Sequence, residues 1–355
     1  MDPAEEVELA PLTTLGVGGR ARYLVEARDE PTLLSALEWA GKRGLGVHLL
    51  GGGSNVVVSD QGTDGLVIRM RLMKVDIEEG RDQVLVRASS GEVWDELVAL
   101  TVGRGWAGLE CTSGIPGQVG AVPIQNVGAY GQEVGERIRS IKALDRATGR
   151  RVELAPETCR FGYRDSLFKS REPGRYVILR VTFALTPGGP ATVRYPELER
   201  ALGDQPNPTL TQVRTAVLAL RRKKSMLWDP ADENGGSCGS FFVNPLVDAS
   251  ALREVERLVG SDSMPRYPQP DGRTKLSAAW LIEQAGFRRG TRDGAVGLSQ
   301  HHALALVCHA GATASGVVRF AHRIRDAVRE RSGVLLRPEP AFWGFGDLEE
   351  GLPRR

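Results

Sequence analysis

Hydrophobic positions along the first seventy residues alternate between strand-like and helix-like runs. RYLVEA (22–27) reads as a strand. Asp29 then stands where a helix cap belongs, Pro31 falls in the first turn, and Leu33, Leu37 and Ala40 share one face up to Gly41. GVHLL (46–50) reads as a second strand, GGGSN (51–55) as a turn, and the three valines that follow as a strand, because their branched side chains are stiff at χ1. LVIRM (66–70) is a further strand. A second unit begins near Val75: VLVRAS (84–89) predicts a strand, and Ser89-x-x-Glu92 predicts a capping box for a helix with Val93, Leu97 and Leu100 inward, ending at GRGW (103–106).

The pattern then changes. Residues 108–131 are apolar and punctuated by glycine, with two prolines, whereas a flexible linker would be polar and Ser-rich. The stretch predicts an ordered loop wrapped around something. RYVILRVTFAL (175–185) is a clear strand, 186–208 a polar segment containing proline, and the following helix ends in RRKK (221–224). In the last third, LSAAWLIEQAG (276–286) predicts a buried helix and HALALVC (302–308) a strand. Thr313 to Ser332 predicts a helix with Val317, Ala321, Ile324 and Val328 in line, closed by Gly333.

At 355 residues the chain is long enough for two or three domains. Apolar and charged fractions of 41% and 25% are ordinary for a globular protein, and a net charge of +2 gives no reason to propose nucleic acid or an anionic membrane as partner. MDPAEEVELAPL lacks the basic and apolar regions of a signal peptide, and no run reaches the ~18 apolar residues of a membrane span. Cys111, Cys159, Cys238 and Cys308 form no CxxC pair, so reduced thiols in a cytoplasmic protein are expected.

Several motifs invite chemistry. GGGSN is followed by a strand, so neither a dinucleotide fingerprint nor a P-loop fits; what survives is a glycine turn able to form an anion nest for a pyrophosphate, or a plain turn. Ser237 in GGSCG matches the G-x-S-x-G of a hydrolase elbow, but a loop enters it and a strand-like FFVNP leaves it, so that reading fails on context. His301 and His302 are expected to open a strand and point apart, which argues against a metal site. FGYRDSLFK (161–169) gathers Tyr163, Arg164, Asp165 and Ser166 in one turn, and Glu339 lies between two prolines in LRPEP.

Taken in order, these pieces resemble the UDP-N-acetylenolpyruvoylglucosamine reductase family, flavoenzymes of peptidoglycan precursor synthesis. The resemblance is carried by TTLGVGG (13–19), LLGGGSNVVVSD (49–60), SGIPGQVGAVPIQNVGAYG (113–131), FGYRDSLFK (161–169), GSFFVNP (239–245), KLSAAWLIEQAGF (275–287) and LRPEPAF (336–342). VRYPEL (193–198) resembles the loop of the longer subgroup, whose tyrosine folds over bound substrate.

The resemblance implies a mixed α+β and α/β fold: a two-part PCMH-like FAD-binding module plus a C-terminal α+β substrate-binding domain. The expected boundaries are 1–70 for the first FAD-binding part, with 336–355 a candidate to complete it, 71–224 for the second with its tyrosine loop at 186–208, and 225–335 for the substrate domain. It further implies that Gly51, Gly52, Gly53, Ser54 and Asn55 cradle the FAD pyrophosphate. Ser113, Gly114, Ile115, Pro116, Gly117, Gly120, Ala121, Gln125, Asn126, Gly128 and Ala129 would line the isoalloxazine and ribityl chain.

The family uses NADPH to reduce FAD, and hydride then passes from flavin N5 to the vinyl carbon of the enolpyruvyl ether of UDP-N-acetylglucosamine. The resemblance implies that Arg164 faces the enolate-like charge that develops. It assigns Glu339 to the same charge, either protonated or paired with Arg164, and Ser240 to the proton that quenches the carbanion. Tyr163, Tyr195, Lys224 and Asn244 align with substrate contacts, and His302 stands where some members have a glutamine touching the substrate. Cys238 replaces a usual alanine and is expected as a buried inert thiol or a site of thiol inactivation. The expected partner is the small-molecule substrate alone, and a monomer is the default. Two rivals stand beside this reading: another FAD oxidase acting on an alcohol or lactone, and a non-catalytic nucleotide-sugar binder.

Overall fold

A computed structural model describes residues 1–203, 205–229, 231–260, 263–349 and 351–353. The chain divides into two compact units, one of Met1–Ala4, Leu24–Gly52 and Gly65–Leu227, the other of Glu5–Tyr23, Gly53–Asp64 and Trp228–Arg355. Among the described residues no helix is long and apolar enough to cross a membrane.

In the first unit, α1 (Glu30–Gly41) begins as expected, with the Asp29 carboxylate accepting the Thr32 N–H at 2.8 Å. Its buried face is Leu33, Ala36 and Ala40, so Leu37 stands to one side of the predicted stripe. Val47–Leu50 lies parallel to the strand through residues 66–69, Val47 opposite Leu66. An antiparallel sheet runs in the order Arg150–Leu154, Ile138–Asp145, Tyr176–Pro187, Val84–Ser89, Val75–Glu79, with Trp106–Ala107 paired to the end of the long central strand. Alternate residues of that strand, Val181, Phe183 and Leu185, are wholly buried. On them packs α2 (Trp94–Gly103), whose Trp94 ring lies 5.6 Å from Phe183.

The predicted capping box does not form. The helix starts five residues after Ser89 behind an extended Val93, with no side-chain cap. Ser89 remains in the sheet, opposite Arg180, so it is not free to cap. The segment 186–208 holds a helix the sequence did not betray. After the short α3 (Pro156–Cys159) come α4 (Pro196–Leu202) and α5 (Leu210–Lys223). Leu198 and Leu202 of α4 pack on Val213 and Val217 of α5, and α5 opens with a Thr209–Gln212 capping box.

The second unit is built on an antiparallel sheet in the order Ser237–Ser240, Ala305–Cys308, Val296–Leu298, Arg292–Asp293. A three-stranded sheet joins Leu246–Val247, Thr274–Leu276 and Arg266–Pro268. Among the described residues three α-helices complete it: α6 (Ala249–Val259), α7 (Ala278–Gln284) and α8 (Ala314–Ser332). All four predicted core positions of α8 are fully buried, Thr313 caps it and Gly333 ends it in the left-handed conformation. Asp60 adds a second cap that no local pattern announces, accepting the Ala314 and Ser315 N–H groups at 2.6 and 2.9 Å. The segment Ala341–Trp343 runs parallel to Val56–Val58. His301 and His302 do not open a strand. The His302 carbonyl accepts the Ala305 N–H at 3.2 Å, a turn that delays the strand to Ala305.

Candidate active site

In the first unit the two glycine-rich stretches meet backbone to backbone. A Cβ on Gly52 would stand 2.9 Å from Gly117 Cα, closer than side chains tolerate, and one on Gly51 would lie 3.2 Å from Gln118 Oε1. That Gln118 oxygen is buried and has no hydrogen-bond partner among the described residues. The loop is fixed largely through backbone groups. Ser113 Oγ donates to the Glu110 carbonyl at 2.6 Å, the Gly117 carbonyl accepts from Trp94 N–H at 3.0 Å, and Gly120 N–H donates to Ser90 at 2.9 Å. Ile115 N–H reaches Thr112, Ala121 N–H reaches Gln118, and Pro116 and Ala121 are exposed. Further along, Gln125 accepts from Lys169 Nζ at 3.4 Å. Asn126 is buried with φ +46° and bonds Glu133, Gly162 and Gly135 through both ends of its amide.

Tyr163 and Arg164 occupy a tight turn closed by reciprocal bonds between Gly162 and Asp165 at 3.0 and 3.2 Å. Arg164 sits at φ +53°, a left-handed conformation that costs a non-glycine residue about 1 kcal/mol or more. In that pose its Nη2 donates to the Gly128 carbonyl at 2.9 Å, beside Ala129 in the strand pair with Gln132–Glu133. A strained backbone fixed by such bonds holds a guanidinium in one place.

A third group surrounds Tyr195, the N-cap of α4. Its ring meets Tyr130 edge-on at 5.7 Å, and Lys224, just past α5, lies 5.9 Å from the Tyr130 ring and 2.5 Å from Glu197 Oε2. Burial pushes the Tyr130 phenol up to about 12. Burial also lowers Arg221, and the Arg164 charge acts in the same direction, against Tyr130 and Asp95.

In the second unit Gly53 takes φ +66°, its carbonyl accepts the Thr14 N–H at 3.0 Å, and the Asn55 carbonyl accepts from Ala341, with half-buried Ser54 between them. Residues 241–243 run against 337–339. Glu339 N–H donates to the Phe241 carbonyl at 2.8 Å and Val243 N–H to Arg337 at 2.9 Å. Glu339 therefore adjoins the strand end that carries Ser240, itself opposite Ala305. Asn244 Oδ1 is used to cap α7, accepting Ala278 N–H at 2.9 Å. His302 Nδ1 accepts Leu304 N–H at 3.2 Å. Burial raises the Cys238 thiol well above its ordinary range, with Cys308 and Glu339 adding to it, which makes it a poor nucleophile.

Sequence reasoning passed over three carboxylates of this region. Asp95 in the first turn of α2 accepts Gly114 N–H at 2.6 Å and grips Arg214 bidentately at 2.6 and 2.8 Å, tying the glycine loop to α5. Burial works to raise its pKa, but the Arg214 and Gly114 bonds outweigh that and hold it below the usual carboxylate range. Glu110 is wholly buried and accepts from Gly108, Gln132 and Thr192. Glu197 pairs with Lys224. A carboxylate at the start of a helix was the available signal for Asp95 and Glu197; for Glu110 there was none.

Residues 21–155 match the model of an FAD binding domain, and residues 229–343 match the C-terminal domain of UDP-N-acetylenolpyruvoylglucosamine reductase. The architecture is thus that of a flavoprotein, an FAD-binding module of mixed α and β structure followed by a reductase-type C-terminal domain. A UDP-N-acetylenolpyruvoylglucosamine reductase of Saccharopolyspora erythraea is 46% identical over 94% of this chain and 94% of its own, and one of Pseudomonas aeruginosa is 45% identical over 96% and 98%. The crystal structure of the Thermus caldophilus enzyme shares the fold, with a TM-score of 0.67 at 24% identity over 96% of this chain and all of that one. The chain belongs to the UDP-N-acetylenolpyruvoylglucosamine reductase family.

Proposed function

We propose that this chain reduces the enolpyruvyl ether of UDP-N-acetylglucosamine to UDP-N-acetylmuramate, using FAD and NADPH, as a cytoplasmic, monomeric enzyme of peptidoglycan precursor synthesis. The observation that carries the reading is the run of 241–243 against 337–339, which sets Glu339 beside the strand end bearing Ser240 in a chain of this family. The glycine stretches suit FAD. Gly52 admits no Cβ against Gly117, and the buried Gln118 oxygen awaits a donor. Gly51 to Asn55 would hold the pyrophosphate, and the loop from Ser113 to Ala129 the ring and ribityl chain. Bound FAD supplies the hydride.

Arg164 then offers a fixed guanidinium to the negative charge of the developing enolate, a contribution of roughly 3–4 kcal/mol for a well-aimed donor. Glu339 is the second residue assigned to that charge. Ser240 gives its hydroxyl proton to the carbanionic carbon and is reprotonated from solvent. Tyr163, Tyr195, Lys224, Asn244 and His302 are assigned to the UDP-sugar, Lys224 to its diphosphate. The domains behind these roles are 1–70, 71–224 and 225–335. Ser240→Ala separates the half-reactions. Anaerobic stopped-flow should show NADPH bleaching the flavin at the wild-type rate, while reoxidation by substrate falls by a factor of ~10²–10⁴. Survival of both halves sinks the proton-donor role.

A further inference from the structure

We propose that Glu197 is an internal stand-in for the substrate's diphosphate, a carboxylate that holds Lys224 in the free enzyme and that an incoming nucleoside diphosphate must displace. The inference rests on the assignment of Lys224 to that diphosphate. Lys224 Nζ lies 2.5 Å from Glu197 Oε2, and the two side chains are only 28% and 29% exposed. Neither position is casual. Leu198, the neighbour of Glu197, is wholly buried against α5, the helix that Lys224 immediately follows. Upstream, Thr192 is fastened at three atoms. Its N–H donates to Glu110 at 2.7 Å, its hydroxyl accepts from Gln132 at 3.1 Å, and its carbonyl accepts from Cys111 Sγ at 3.1 Å. Thr192, Tyr195 and Glu197 thus lie on one segment that is anchored at Thr192, and the Tyr195 and Tyr130 rings are in contact at 5.7 Å.

The chemistry follows from charge. A carboxylate offers an ammonium one negative charge, whereas a diphosphate offers more charge and several oxygens, so the diphosphate wins the exchange and a weakly charged anion does not. Glu197 therefore subtracts affinity from every anion at Lys224 and favours release once product has formed. The pair is partly exposed, so the subtraction is modest, about threefold to fivefold in Kd. Because removing the carboxylate adds one net positive charge to the site, it also steepens the fall of affinity with salt.

The test uses the FAD-loaded enzyme and UDP as probe, with calorimetric titration at two ionic strengths. Glu197→Gln should bind UDP about threefold to fivefold tighter than wild type, with a steeper salt dependence, and Glu197→Ala should do the same. In a Lys224→Ala background the Glu197→Gln gain should vanish, which a purely structural effect of the substitution would not reproduce. Unchanged or weaker UDP binding by Glu197→Gln, with the melting temperature of the wild type, overturns the stand-in role. If Lys224→Ala binds UDP as tightly as wild type, the assignment of Lys224 fails first and takes the proposal with it.

Discussion

Replacing Glu110 by Ala removes the acceptor for two backbone N–H groups and one side-chain amide at a site with no exposure to water. The carboxylate accepts Gly108 N–H at 2.8 Å, Thr192 N–H at 2.7 Å and Gln132 Nε2 at 3.3 Å, joining three segments that are far apart in sequence. A buried donor left without a partner costs about 1–3 kcal/mol, so the two backbone groups alone give roughly 4 kcal/mol. For a folded body of 150–250 residues that is a fall of roughly 8–16 °C in Tm. Glu110→Gln keeps one oxygen and turns an NH2 group toward a donor, so about half the loss is expected. The assay is thermal unfolding by circular dichroism, paired with amide exchange at Gly108 and Thr192, whose protection should drop first. Thr192 leads into Tyr195, so KM for the UDP-sugar should rise more than kcat falls. A Glu110→Ala protein that melts within ~2 °C of wild type, with Thr192 still protected, would refute the reasoning.

Two further outcomes follow from the same geometry. Gly52→Ala places a methyl 2.9 Å from Gly117 Cα, and because backbone lies on both sides the glycine stretches must part. Overpacking of ~1–3 kcal/mol predicts FAD binding weaker by roughly tenfold to a hundredfold, read by flavin fluorescence titration of the apoprotein. Asp95 is held below the ordinary carboxylate range, so its contribution to stability is complete above the unfolded value near ~4 and is lost as pH falls through the folded one. Urea unfolding of wild type and Asp95→Asn should therefore differ at pH 7 and converge progressively as the pH falls below ~4; a constant gap would contradict the clamp.

What the sequence disclosed was whatever is encoded locally. The α8 helix carries its cap, its inward stripe and its terminal glycine within twenty-one residues, and the structure agrees with all three. Asp29 likewise announces α1. Two of the failures share a cause, contacts made at a distance, whereas the strand expected at His301 is delayed by a local turn at His302. Ser89 has the spacing of a capping box, yet its pairing with Arg180 keeps it in the sheet. The α4 helix has only seven residues, too few for a period, and exists because Leu198 and Leu202 find α5. The assignments of Ser240, Arg164 and Glu339 rest on the family resemblance rather than on their neighbours in the chain. Asp95 and Glu110 were not legible, because the partners that give them meaning lie 119 and 82 residues away.

The measurement that bears most directly on the central claim is the anaerobic visible spectrum of the purified protein. It is taken alone, after one equivalent of NADPH, and after adding UDP-N-acetylenolpyruvoylglucosamine. The account predicts oxidised flavin bands that bleach with NADPH and return with the enolpyruvyl sugar. A protein that takes up no flavin even after reconstitution with FAD, or one whose bleached bands do not return with that sugar, would contradict it.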